Sequence, residues 1–489
     1  MSIIIPANSA VSGGYEVDNS LRFNTASTDY LTRAASAFGT PTNRKKCTIS
    51  FWCKRSSLTV QQAVMGVETT PAGGSNEARL ILRGDDTLEL YDYQSGYKFR
   101  YITNRVFRDT SAWLHIVFSV DTTHPTGSAR VNLYINGVAE TSFSSTTDPA
   151  EDLDTFLNSG NYVQLGRQST GNSYYGGYLS EYVFIDGSAL APTDFGEFDE
   201  DSGIWKPKSV SGLSFGTNGF YLEFGNSGAL GTDSSGAGNT FTPVNLTSLD
   251  QSTDTCTNNF ATLNSLVTYG TNQNALSEGN TTLTGISYHR PSPPTISVNS
   301  GKWYFEAKAF SGTATKWWIG LCDTEYDTNN QGAIGSTANY IWGYDNTTNA
   351  VNQRSQVIYG NDLRDGGGNI AISGIFSAGT IAVNDIYAMA VDLDNQKVWY
   401  SKNGVWNNGS GGESTTFNAS TPDSTNIDAG RDYLIGIGGE NSKWSINYGS
   451  PSYAISSGNT DGNGYGNFEY AVPTGYLALC TKNLSEVDS

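Results

Sequence analysis

The sequence predicts an all-β protein built as two antiparallel β-sandwiches in tandem. Three observations carry that expectation: a hairpin pattern that occurs once in each half, a composition suited to short strands and tight turns, and about a dozen short strand-like runs in the first half without a helical period. In the first hairpin, Leu114, Ile116, Phe118 and Val120 share one face of a strand that ends at Asp121. After a polar loop, Ala129, Val131, Leu133 and Ile135 return inward and close on Asn136-Gly137. In the second, the apolar run Ile386–Val391 ends at Asp392, turns through Leu393-Asp394-Asn395, and returns as Lys397-Val398-Trp399-Tyr400 to Asn403-Gly404. Period-two apolar faces bounded by Asn-Gly are the strongest short-range signal for antiparallel pairing.

The composition agrees. The chain has 489 residues, long for one hydrophobic core, so two or three domains are expected. It holds 55 Gly, 28 Tyr and 21 Phe against 5 Cys and 3 Met, which suits many turns and aromatic-filled cores. The formal charge is −19, from 28 basic and 47 acidic residues. An acidic surface repels a phosphate backbone, so nucleic-acid binding is not expected, and the charge is read as a solubility device. The start Met1-Ser2-Ile3-Ile4-Ile5-Pro6 has no basic segment and only three consecutive apolar residues, so no secretory signal is read. No stretch approaches the roughly 18 apolar residues of a membrane span. A protein made and kept in a cytosol, or leaving it by assembly or lysis, is the expectation. Cys47 and Cys53 fall on one strand face about 20 Å apart, too far to pair, and the cysteine total is odd, so buried free thiols are expected. Three His without Cys-x-x-Cys argue against zinc.

Residues 1–18 are small and polar, read as an N-terminal arm or an ordinary loose terminus. Strands are then expected at Leu21–Phe23, Tyr30–Leu31, Cys47–Lys54, Arg79–Leu82, Leu88–Tyr93, Phe99–Thr103, the first hairpin, Tyr162–Leu165 and Tyr178–Ile185. The set Ser20-Leu21-Arg22-Phe23 with Asp29-Tyr30-Leu31, Cys47 to Trp52, Trp113 to Val117, Leu133 to Gly137, and Gly177 to Glu181 resembles the laminin-G-like, concanavalin A-like jelly roll over residues 20–190. Ala191 to Phe195 reads as a short helix opening, Gly219 to Phe224 as a further strand, and Gly225 to Asn239 as a surface loop. The expected boundary lies near Leu249. The division is residues 19–248 for the first domain, 249–284 for a linker with lead-in strands, and 285–489 for the second. In the second half, Gly301 to Glu306, Trp317 to Leu321, the second hairpin and Tyr433 to Gly438 resemble the SPRY domain, another concanavalin A-like sandwich. The segment Val391-Asp392…Val398-Trp399-Tyr400-Ser401-Lys402-Asn403-Gly404 is its most specific match. The tail Tyr470-Ala471-Val472-Pro473-Thr474-Gly475-Tyr476 is similar to those closing SPRY-type proteins of marine bacteriophages. The whole order resembles bacteriophage virion surface proteins.

Candidate sites follow from chemistry. A sugar's C–H face stacks on an aromatic ring while amides and carboxylates bond its hydroxyls. Tyr174 and Tyr175 with Asn172, in a Gly/Asn loop, fit that role, as does Tyr344 with Asp345 and Asn346. Tyr340, Trp342 and Tyr344 alternate, and a core role for Trp342 is the competing reading. For calcium, the oxygen donors considered are Asp85, Asp86 and Asp121, with Asp392 and Asp394 behind them; laminin-G-like domains hold calcium at a sandwich rim, and the alternative is that these acids bond their own turns. Glu197, Asp199 and Asp201 are similar to a β-glucanase signature, whose two carboxylates lie about 5–5.5 Å apart. The last position is one methylene short and the run lies between glycines, so an exposed acidic loop is preferred. His115 falls on the polar face of its strand, and no Ser or Cys has a nucleophile-elbow context. Gly366-Gly367-Gly368 lacks the lysine of a phosphate cradle.

The resemblance implies a non-enzymatic virion surface protein, a tail fibre or spike adhesin that meets host-surface polysaccharide through sandwich-rim loops. A homo-oligomer, attachment to other virion proteins through the arm, and no membrane insertion go with it. A capsid decoration or head-fibre protein is the alternative, and a glucanase-like hydrolase the third reading.

Overall fold

The computed structural model describes residues 14–168, 173–267, 274–285, 290–311, 317–323, 355–359, 362–365, 370–376, 382–409, 412–425, 427–439 and 441–487. They form two compact domains that meet in sequence at Asn259 and Phe260. Strands dominate both; among the described residues the one α-helix is Thr481–Val487, and no helix is long and apolar enough to cross a membrane.

The first domain is a sandwich of two antiparallel sheets. One runs in the order Val138–Glu140, Val131–Ile135, Leu114–Asp121, Lys46–Arg55, Gly177–Asp186, Ser20–Phe23, Gln251–Ser252, with Phe220–Leu222 also pairing Gly177–Asp186. The other runs Phe143–Thr147, Tyr97–Val106, Thr87–Gln94, Asn76–Leu82, Gln62–Glu68, Tyr162–Leu165, Tyr30–Arg33, Thr242–Val244. Alternation sends Cys47, Ile49, Phe51 and Cys53 from one sheet, and Leu80, Leu82, Leu88 and Leu90 from the other, into a common core. Both thiols are free and burial raises their pKa, that of Cys53 to about 12. The first hairpin sets Ile116 opposite Ile135, Phe118 opposite Leu133 and Val120 opposite Val131. Asn136 and Gly137 take φ of 48° and 76°, the mirror-image turn that matches strand twist.

The strand Gln62–Glu68 was not anticipated. A bulge between Ala63 and Met65 breaks its alternation, so it has no period-two signature. The outer face of the first sheet is also covered, by residues 187–259. Val117, Val183, Ile185, Phe195, Val210, Phe215 and Tyr221 form one apolar cluster there, and Trp52, Trp113, Tyr178 and Trp205 another. His115 is buried beneath this cover. Trp205 Nε1 donates to His115 Nδ1 at 3.0 Å, so Nε2 carries the proton and donates to Ser50 Oγ at 2.9 Å. Burial pushes the imidazole pKa down to about 3. A histidine that donates to serine is the reverse of a general base.

Both ends of the first domain differ from expectation. Gln251–Ser252 pairs with Ser20–Phe23, and Asp254 is fully buried, so residues 249–259 are part of the domain and not linker. Nor are residues 15–18 a free arm. Val17 N donates to Thr257 Oγ1 at 3.1 Å, and Tyr15 OH donates to Glu181 Oε2 at 3.1 Å beside Tyr221 OH at 3.0 Å. Tyr221 OH donates to the same carboxylate at 2.8 Å. Burial, with Glu223 and Asp18 adding to it, raises Glu181 to about 7. A carboxyl raised in the folded state holds its proton longer there than in the unfolded chain. Its contribution is complete below its ordinary 4.5, is lost as pH rises to about 7, and stays flat above. Melting curves across pH 4–8 are therefore expected to separate wild type from Glu181→Gln, the wild type losing on the order of a few kcal/mol more over that window. Parallel curves would count against the raised carboxyl.

The second domain repeats the plan. One sheet runs Ala275–Ser277, Thr282–Thr284, Lys443–Asn447, Lys302–Ser311, Ile386–Asp392, Lys397–Lys402, Val405–Asn407, Glu413–Ser414, with Leu477–Ala478 parallel to Lys302–Ser311. The other runs Arg290–Ser292, Tyr433–Gly439, Trp317–Asp323, Ser355–Tyr359, Asp362–Asp365, Ile370–Ile372. The second hairpin pairs Val391 with Val398 and Met389 with Tyr400. Tail residues Phe468, Tyr476 and Cys480 cover Tyr304, Trp399 and Trp406 on the outer face. Buried Glu306 fixes that tail by accepting from the amides of Glu469 (2.9 Å) and Tyr470 (2.8 Å).

Candidate functional site

In the first domain, cross-strand registers build the outer face of the second sheet row by row. Thr32, Gln164, Gly66, Arg79, Tyr91 and Arg100 are successive partners on five adjoining pairs of strands. Tyr162, Glu68, Glu77, Tyr93 and Tyr97 form the next row on the same face. Apart from Thr32 and Gly66, the side chains of these rows are long, charged or aromatic, and Gln164, Glu68, Arg79 and Tyr91 among them are buried.

Arg79 organises the centre. It donates to Glu68 at 3.2 Å, to Gln168 at 3.1 Å and to Glu77, while Tyr91 OH donates to Glu77 at 2.7 Å. Glu89 receives Arg100 at 2.7 Å and Arg83 at 2.8 Å. Tyr97, exposed to 46%, meets Tyr91 and Tyr93 edge-on at 5.5 and 5.3 Å, with the Arg100 guanidinium 4.7 Å from its ring centre. The backbone after Tyr162–Leu165 crosses this face over Gly66, where a Cβ would stand 3.2 Å from the Arg167 carbonyl oxygen. That crossing delivers Arg167 to the rim, its guanidinium 4.8 Å from the Tyr30 ring and 5.4 Å from the Tyr174 ring. The two rings lie 6.4 Å apart and tilted by 50°. Tyr30 precedes Thr32 by two residues and shares its face. The result is a half-exposed tyrosine–arginine–tyrosine group at the edge of a polar, aromatic platform.

Of the residues singled out from sequence, Tyr174 lies in this group. Tyr175 does not: it is fully buried, packs edge-on against Phe23 at 5.9 Å, and donates its hydroxyl to the carbonyls of Lys54 and Tyr178. Adjacent residues of an extended segment point to opposite sides, so one of the two tyrosines had to enter the core. Asn172, Tyr340, Trp342, Tyr344, Asp345 and Asn346 lie outside the described residues. Tyr30, Arg167, Gln168, Arg79, Tyr91 and Tyr97 were missed; a polar and aromatic period-two face in Glu77-x-Arg79 and Tyr91-x-Tyr93 was the available signal.

The calcium candidates each have other partners in the structure. Asp85 accepts from Thr87 N and Oγ1 in its own turn. Asp86 is fully buried between Arg55 (3.1 Å) and Arg108 (2.9 Å). Asp121 bonds Thr123 and pairs with Lys46 at 3.0 Å. Asp392 pairs with Lys302 at 3.3 Å and Asp394 accepts from Gly301 N. Cations and local donors occupy these oxygens, and among the described residues no cluster of three His, Cys, Asp or Glu is placed to hold a metal ion.

The glucanase-like run is a hairpin, Gly196–Phe198 pairing with Trp205–Pro207. Asp199 is buried and accepts from Asp201 N, Ser202 N and Oγ, and Lys206 Nζ, closing the loop. Glu197 is exposed and reaches the same lysine at 3.6 Å. On the platform, Glu68 and Glu77 are direct cross-strand neighbours, but Arg79 lies on both and Glu68 is fully buried. Neither pair presents two open carboxyl groups to one substrate.

Comparison with known families agrees with this architecture. Residues 24–194 match the family model of the concanavalin A-like lectin/glucanases superfamily, and residues 302–422 match that of the SPRY domain. No curated protein sequence matches the chain. Among solved structures, a candidate carbohydrate-binding protein from Bacteroides ovatus is 16% identical, with TM-score 0.33, over 47% of this chain and 58% of that one. Domain 4 of the arabinanase AbnA from Geobacillus stearothermophilus, solved with arabinotriose, is 21% identical, with TM-score 0.23, over 32% and 66%. The LG1-3 region of the laminin alpha2 chain is 9% identical, with TM-score 0.30, over 90% and 64%. The chain thus spans less than two thirds of each of these three.

Proposed function

We propose that the protein is a non-catalytic glycan-binding protein whose first domain meets polysaccharide through the Tyr30–Arg167–Tyr174 group and the platform beside it. The observation that carries this reading is that group: two half-buried rings held by one half-buried guanidinium, on the same outer face as the half-buried Tyr162, Glu77, Tyr93 and Arg100 and the exposed Tyr97. Rings offer stacking faces to a sugar, and the half-buried Arg167, Arg100 and Glu77 offer hydrogen bonds to its hydroxyls, while Glu68, Arg79, Gln164 and Gln168 are buried beneath and hold the platform together. The lectin/glucanases description of the matching family supports the sugar reading, and the occupied carboxylates support binding without cleavage. The sequence resemblance to phage surface proteins supports a place on a virion, in a tail fibre or spike, with several copies raising a weak affinity by effective concentration.

Binding to a panel of immobilised bacterial polysaccharides tests the site. Tyr174→Ala and Arg167→Ala are each expected to weaken the best-bound glycan roughly tenfold or more, about 1.4 kcal/mol, with the melting temperature unchanged. Equal binding by the variants would remove this surface from the reading, and cleavage of any glycan on the panel would overturn its non-catalytic part. Immunogold labelling of intact particles tests the location: label on the tail supports an adhesin, and label over the head favours a decoration protein.

A further inference from the structure

On the covered face of the first sheet, two residues some two hundred positions later in sequence meet the amine of Lys54. Lys54 Nζ lies 2.8 Å from Asp254 Oδ2 and 2.7 Å from Asn259 Oδ1. The Lys54 and Asp254 side chains are 1% and 0% exposed, and Asn259 is buried. Trp113 Nε1 donates to the other oxygen of Asp254 at 3.0 Å, and the Tyr178 ring centre lies 5.7 Å from the amine. Asn259 Nδ2 donates to the Ser111 carbonyl at 2.7 Å, which fixes the carboxamide. A buried ion pair needs only the lysine and the aspartate. The third member adds an electrophile, because the carbonyl carbon of Asn259 is one bond beyond the oxygen the amine already touches.

We propose that this cluster is a self-modification site, in which Lys54 Nζ and the side-chain carbonyl carbon of Asn259 join in an isopeptide bond with Asp254 carrying the protons. Asp254 takes one proton from the Lys54 ammonium across their hydrogen bond. The freed lone pair forms the C–N bond while the carbonyl π pair moves onto Oδ1. Asp254 then delivers its proton to Nδ2, the old C–N bond breaks as the carbonyl re-forms, and ammonia leaves. The attacking nitrogen loses a further proton through Asp254 to that ammonia. One ammonium and one carboxamide thus become one secondary amide and one ammonium ion, with no oxidant or cofactor. Aromatic walls exclude water, which would otherwise solvate the charged groups, and the fixed geometry replaces an encounter between separate reactants. Asp254 is the poorer electrophile, since Lys54 and Trp113 already hold both its oxygens as a carboxylate. The bond would tie strand Lys46–Arg55 to the last residue of the first domain.

Mass spectrometry of the folded full-length chain, unfolded only for measurement, tests this. The expected mass is that of the sequence less one ammonia, with a branched proteolytic fragment joining the peptides that contain Lys54 and Asn259. Lys54→Arg and Asp254→Asn are each expected to restore the full mass and abolish the branched fragment. A wild-type chain at full mass with no branched fragment overturns the proposal, whether or not either variant folds. A chain lighter by one water, with Lys54 joined to Asp254, overturns the assignment of Asn259 as electrophile.

Discussion

Asp86→Ala is expected to cost the first domain about 3–5 kcal/mol, the range for removing one partner of a buried ion pair. Arg55 and Asp86 side chains are both wholly buried, 3.1 Å apart, and Arg55 also donates to the Phe107 carbonyl. Without the carboxylate, a guanidinium stays in the interior facing a cavity. Arg108 and the Thr59 amide, at 2.9 and 2.8 Å, lose their acceptor as well. Asp86 also takes φ of 66°, where alanine adds roughly 1 kcal/mol of strain. Urea unfolding of the full chain, followed by tryptophan fluorescence, measures the shift in the first domain's transition. Arg55→Met in the same chain should recover part of the loss, since it removes the stranded charge. Added calcium should move neither midpoint. The pH dependence has a definite sign: burial opposes ionisation, but the Thr59 amide, Arg108 and Arg55 outweigh it and hold the carboxyl below its ordinary 3.8. Its contribution is therefore present above that value and lost as pH falls through the lower folded value.

Gly137→Ala and Gly404→Ala are each expected to destabilise their own domain by roughly 2–4 kcal/mol, from a left-handed backbone and an aromatic ring seated on the turn. The two hairpins use one construction. Asn136 and Asn403 accept from the amides of His115 and Ile386, each at 2.8 Å, locking the turn to the start of the hairpin's first strand. The glycines that follow have φ of 76° and 77°. A Cβ there would stand 2.4 Å from the Trp205 ring in the first domain and 2.6 Å from the Tyr470 ring in the second. Two separate unfolding transitions, each shifted by its own substitution only, are the expected result. A change in both transitions from one substitution, or in neither, would contradict that construction.

That symmetry was legible because it is local: Asn-Gly and period two report on residues that are neighbours in sequence. The fold class, most strand positions and the inward face of Lys46–Arg55 came from the same signal. What was not legible depends on distant partners. Residues 249–259 read as linker because Asp, Thr and Asn are polar, yet Asp254 and Asn259 are polar in order to meet a buried lysine two hundred residues earlier. Asp86 resembled a calcium ligand because nothing local assigns two arginines to it. Tyr175 resembled a loop aromatic because glycines surround it, although those glycines let the backbone pass close to the core. The platform was missed for a related reason. Arginine and glutamate on the outer side of a strand read as ordinary solvent-facing residues until the register sets them side by side.

The pairing of Gln251–Ser252 with Ser20–Phe23, and of Leu477–Ala478 with Lys302–Ser311, has a bearing on synthesis. A ribosome delivers Ser20–Phe23 long before its edge partner, and Lys302–Ser311 long before its parallel neighbour. The first domain must wait with Ser20–Phe23 open on one side, and the second with Trp303 and Tyr304 open on the side that Leu477–Ala478 fills, until the closing segment has left the exit tunnel. Such late long-range closure is slow and leaves strand edges exposed. The first domain can nevertheless finish while the second is still being translated, because its closing residues end at 259. A stalled chain ending within residues 230–250 should therefore be captured as an open, protease-sensitive sandwich.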